Sequence, residues 1–207
     1  GRSGERTVGY ASCAITYPKE VTMLNNQQRK KLLEIARQSI QTNLETNKKL
    51  KVVETNPVLN QKMGAFVTLN KHGQLRGCIG NLVGSQPIYL TVLDMAIQAS
   101  VGDPRFPKLS LDELKDVEIE ISVLSPLERV NSAEKIELGK HGVLVKKGFN
   151  SGVFLPQVAT ETGWSKEEFL NRLCSDKAGL PENAWKDKNT ELYIFNAEVF
   201  SEKDLER

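Results

Sequence analysis

The chain has 207 residues, enough to bury one substantial core or a compact pair of subdomains. Its 28 basic and 26 acidic side chains leave a net charge of +2, with 39% hydrophobic and 26% charged residues. That composition excludes a disordered chain, and the near balance of charge gives no electrostatic mandate for nucleic acid. No apolar run approaches the roughly 20 residues of a membrane helix, and Gly1-Arg2-Ser3-Gly4-Glu5-Arg6 lacks the apolar stretch of a signal peptide.

Residues 7–16 read as a strand closed by Tyr17-Pro18. A helix follows, with Asn25 as N-cap and Leu32, Leu33, Ala36, Ile40 and Leu44 at helical spacing. Polar residues 46–61 read as a long connection. Residues 65–69 and 75–79, split by Asn70-Lys71-His72-Gly73, predict a hairpin. The next helix takes Ser85 as N-cap, with Pro87 in its first turn, and ends at Asp103-Pro104-Arg105-Phe106-Pro107. Ser110 and Glu113 predict a capping box on a short helix. Residues 117–124 are the clearest strand: Val117, Ile119, Ile121 and Val123 alternate with Glu118, Glu120, Ser122 and Leu124. Residues 143–147 and 152–156 predict a second hairpin. Ser165 and Glu168 predict a second capping box, with Trp164 and Phe169 at the staple positions. Residues 191–200 form a final strand. Strands and helices mix without a regular βαβ rhythm, so the fold class is α+β with a mostly antiparallel sheet and flanking helices.

Three cysteines, Cys13, Cys78 and Cys174, lie far apart, and His72 and His141 are the two histidines. Neither a disulfide framework nor a structural zinc site is expected, and a reducing cytoplasm is the natural home. No GxGxxG, Walker, GxSxG or HExxH motif occurs.

The most unusual local sequence is Leu75-Arg76-Gly77-Cys78-Ile79-Gly80. On a strand, Arg76 and Cys78 share a face, and a nearby arginine favours thiolate. Gly77 and Gly80 signal a close backbone approach or a bulge. The plain alternative is a buried cysteine beside a tight turn, because no general base is adjacent in sequence. Asp103 and Arg105 read either as a structural corner or as an anion site. Glu118 and Glu120 share one strand face. If that face is covered they need cationic partners, and Arg76 and Arg105 are the candidates. Gln157 adds a polar group beside Leu155-Pro156.

In order along the chain, LRGCIG at residues 75–80, DPRF at 103–106, EIEISVL at 118–124, FLPQV at 154–158, KAGLP at 177–181 and Trp185 resemble the AMMECR family. The resemblance covers roughly residues 24–200. It implies an α+β fold with a larger and a smaller subdomain and a cleft lined by the LRGCIG motif, and it implies no established reaction. Val8-Gly9-Tyr10-Ala11-Ser12-Cys13-Ala14 resembles the last strand of the Memo family, which in some proteins precedes an AMMECR domain and is encoded beside a radical SAM protein.

The expected organisation is therefore residues 1–18 as the end of a Memo-like domain plus linker and 19–207 as the AMMECR domain. Within it the larger subdomain takes 19–126 and 188–207, and the smaller takes 127–187. The expected function is a subunit of a Memo and radical-SAM-associated modification system. The alternative is a module that binds a small anionic ligand or nucleic acid without catalysis. Cys78, Glu118 and Glu120 are the candidate catalytic residues. Arg76, Gly77, Gly80, Asp103, Arg105 and Gln157 are the candidate ligand-binding residues. No metal set is expected, and the residues indicate no particular cofactor.

Overall fold

The computed structural model describes residues 24–205. The strand expected over residues 7–16, with its Memo-like assignment, lies outside them.

Helix α1, Asn26–Thr46, starts where expected. The Asn25 side chain accepts from the Gln28 amide, and the Gln28 side chain accepts in return from the Asn25 amide, a full capping box. Strands β1 (Gly64–Lys71) and β2 (Gln74–Asn81) form the first hairpin. Both turn residues have positive φ, 52° at His72 and 77° at Gly73. That combination matches the twist of the flanking strands.

Helix α2, Ile88–Val101, starts later than Ser85. Pro87 occupies the N-cap, with no side-chain cap, because the approaching chain is already held: Lys62 bridges Pro87, and the Ile88 amide donates to the Gln61 carbonyl at 2.8 Å. The Ser110–Glu113 box forms by half. Ser110 Oγ accepts from the Glu113 amide at 3.2 Å, but the Glu113 carboxylate is drawn away to Arg76, and the segment Glu113–Asp116 is a 3-10 turn.

Strand β3 (Val117–Leu124) pairs with β1, and the short β4 (Glu128–Val130) follows. The second hairpin is β5 (His141–Lys147) and β6 (Asn150–Phe154). Pro156 opens helix α3 (Pro156–Thr162) rather than closing the hairpin, since its missing N–H costs nothing at a first helical position. Helix α4 (Lys166–Arg172) has Ser165 as its cap, and a single π turn, Leu173–Lys177, extends it. The long strand β7 (Glu191–Ser201) runs into the one-turn helix α5, Glu202–Leu205.

The strands pair antiparallel in the order β2-β1-β3-β7-β5-β6, with β4 beside β7. Two hydrophobic clusters flank this sheet. In the first, Leu32, Leu33, Ala36 and Ile40 of α1 and Val92 and Ala96 of α2 pack on Val67, Leu69, Ile119, Ile121 and Phe200. In the second, Phe169, Leu170 and Leu173 pack on Val143, Val145, Phe154, Leu192 and Ile194. Strand β7 supplies both clusters, because its 11 residues outrun either neighbour. No helix among the described residues is long and apolar enough to cross a membrane.

Candidate functional site

Alternation on β3 sends Ile119, Ile121 and Val123 to the helices and Glu118, Glu120 and Ser122 to the opposite face. The register then builds one row there. Cys78 of β2 lies across from Thr68 of β1, Thr68 from Glu120 of β3, and Glu120 from Ser201 of β7. With neighbouring strands about 4.8 Å apart, Cys78 and Glu120 stand roughly 10 Å apart with Thr68 between them. All three are partly buried.

The two glycines of the motif have separate steric reasons. A Cβ on Gly77 would lie 2.2 Å from the Ala99 carbonyl oxygen at the end of α2. One on Gly80 would lie 2.3 Å from the Phe66 ring. They are close-packing positions on opposite faces.

Arg76 pairs with a carboxylate rather than with the Cys78 thiol. The β1–β2 register shifts between Leu69 and Asn70, so Leu75 rather than Arg76 opposes Asn70. Arg76 clasps Glu113 with two bonds, 2.8 Å from Nε and 3.0 Å from Nη2, and Lys71 joins the same carboxylate at 3.2 Å. The pair of cations holds the Glu113 carboxyl down at about 2.

The DPRF corner works on the edge of β2. The Cys78 amide donates to Asp103 Oδ2 at 2.9 Å, and Arg105 Nη2 donates to the Cys78 carbonyl at 3.2 Å. Arg105 also donates to both Asp103 oxygens, at 3.0 and 2.8 Å. A carboxylate and a guanidinium thus replace the missing neighbour strand at the edge. Arg105 lowers Asp103 to about 2, offsetting its burial.

On balance the surroundings of Cys78 favour its neutral thiol. Burial pushes its thiol up, more than the Thr68 hydroxyl (donating to Sγ at 3.3 Å) and Arg105 pull it down. Glu118 finds its cation in Lys203 of α5, not in Arg76 or Arg105. Glu120 has no hydrogen bond or ion pair among the described residues. Burial first, then Glu118 and Asp204, raise its carboxyl. Gln157 lies in α3, and no bond among the described residues joins it to the row. No group of three or more His, Cys, Asp or Glu side chains suited to a metal ion occurs among the described residues.

A cleft of about 770 Å³, which no sequence pattern signals, opens at the start of β3. Arg37, Asn70, His72, Glu118, Glu202 and Lys203 are among its lining residues, and Cys78, Thr68 and Glu120 are not. Asn70 and Glu118 oppose each other one row along from Thr68 and Glu120, so the cleft opens beside the row.

The profile of the AMMECR1 family matches residues 33–200. The chain belongs to the AMMECR1 family. A protein of Pyrococcus furiosus is 42% identical over 183 residues, spanning 83% of this chain and 87% of that protein. A protein of Methanothermobacter thermautotrophicus is 42% identical over 186 residues, spanning 86% of this chain and 96% of its own length. The crystal structure of an uncharacterised protein from Pyrococcus horikoshii matches with a TM-score of 0.79 at 39% identity, covering 88% of this chain and 95% of that one. Little of these relatives lies outside the match, and they lend no support to a Memo domain fused upstream.

Proposed function

We propose that this AMMECR1-family protein acts through the Cys78–Thr68–Glu120 row, with Glu120 as general acid and base and Cys78 as a neutral thiol that helps seat the substrate. The observation that carries this reading is the Glu120 carboxyl itself. It is partly buried, it has no partner among the described residues, and its raised proton affinity suits it to hold and release a proton nearer neutrality. A cleft lined by Asn70 and Glu118, the next pair along from Thr68 and Glu120, offers room for a small polar molecule. Arg76 and Arg105 are already committed to Glu113 and Asp103, which weighs against the anion-binding alternative.

The wider setting, a modification system with Memo and radical SAM partners, rests on the family resemblance alone, and its cytoplasmic location on the cysteine usage. The acid–base site stands apart from it.

The test is a library of small polar metabolites screened by amide shifts of the isotope-labelled chain, with Glu120→Gln beside it. Bound compounds are expected to move Thr68, Cys78 and Glu120 and to lose at least tenfold in affinity with the variant, a loss of about 1.4 kcal/mol. Compounds that bind elsewhere, or bind the variant equally well, would overturn the reading.

A further inference from the structure

Helix α5 is one turn long, yet each of its first three residues reaches the strand that carries Glu120 or the residue facing it. Glu202 Oε2 accepts from the Ile119 amide at 2.9 Å, one residue before Glu120, while Arg37 holds the same carboxylate with two bonds of 2.5 Å. Lys203 pairs with Glu118, two residues before Glu120 on the same face. Asp204 Oδ2 accepts from the Ser201 amide at 2.8 Å and its hydroxyl at 3.1 Å, and Ser201 is the register partner of Glu120. Leu205 anchors the turn on the first hydrophobic cluster.

We infer that the C-terminal turn is the positioning element of the Glu120 site, with Asp204 and Lys203 setting the electrostatic field at its carboxyl. This rests on the proposed role of Glu120 and adds residues that touch no substrate. Asp204 places a negative charge beside Ser201, which favours the protonated carboxyl. Lys203 offsets the charge of Glu118, which would otherwise favour it further. The other groups facing Glu120 are the Cys78 thiol from β2, the Thr68 hydroxyl from β1 and the Ser201 hydroxyl from β7. None of those three brings a fixed charge, so the turn is the adjustable part of the field. The same turn walls the cleft through Glu202, Lys203 and Leu205, and Glu118 lines it too.

The experiment is a carbon-detected titration of the Glu120 carboxyl in the full chain, in wild type, Asp204→Asn, Lys203→Gln and Lys203→Arg. Asp204→Asn, which can still accept from Ser201, is expected to lower the midpoint, and Lys203→Gln to raise it. Each shift should be roughly half a unit or more, as for one charge beside a partly exposed carboxyl. Lys203→Arg should restore the wild-type midpoint. Midpoints that stay put while melting temperatures fall would overturn the inference and leave the turn a structural clasp. The wild-type midpoint is read separately. An ordinary value there sinks the acid–base reading of Glu120, while the differences among variants still decide the role of the turn.

Discussion

At the scale of single residues, Glu120 opposes the stability of the fold only once its carboxyl is ionised. Its folded-state carboxyl titrates above the unfolded value, so folding favours the protonated form. The contribution is fully present below the ordinary carboxyl range, about 4.3 for glutamate, and is lost as pH rises through the folded value. Glu120→Gln removes the charge and not the shape. It is therefore expected to melt higher than wild type at pH 8 and at the same temperature near pH 3, by calorimetry. A lead that persists at pH 3 would show that the gain is not electrostatic. Asp103 and Glu113 run the other way. Their depressed values add stability above the ordinary carboxyl range that is lost as pH falls toward about 2.

At the scale of elements, the LRGCIG strand and the DPRF corner are one unit. The chain leaves α2 at Gly102 and turns back at once to lay Asp103 and Arg105 along the free edge of β2. That return is close enough for the Ala99 carbonyl to sit against Gly77. Since the contact atom is backbone, a methyl group there cannot be absorbed by a rotamer change. Gly77→Ala is expected to cost about 1–3 kcal/mol in urea unfolding, the range for overpacking. An unchanged midpoint would mean that α2 can move aside. Gly80 meets the Phe66 ring instead, so its neighbour has more freedom to give.

At the scale of the whole molecule, β7 joins two hydrophobic clusters of different make-up. The second is centred on Phe169, which stacks tilted on Phe154 with ring centroids 5.1 Å apart. Phe169→Ala is expected to cost about 3–5 kcal/mol as a large cavity. In hydrogen exchange, the amides of β5 and β6 should lose protection before those of β1 and β3, because only the former pack in that cluster. Equal loss throughout would show that β7 couples the clusters into one cooperative unit.

The sequence alone determined the elements with strong local signals. Period-two alternation gave β3 and its two faces, Asn25 gave the start of α1, and Asn70-Lys71-His72-Gly73 gave the first hairpin. The family was also legible there, because the motifs occur in order. Tertiary structure decided which charges meet. Arg76 went to Glu113, 37 residues away, rather than to Cys78, and Glu118 found Lys203, 85 residues away. Helix α5 was missed because a single turn has no periodicity to read. The row of Cys78, Thr68 and Glu120 arises from strand register, which depends on pairing between distant segments. Alternation can say that Glu120 faces away from the helices, but only the paired strands say what stands beside it.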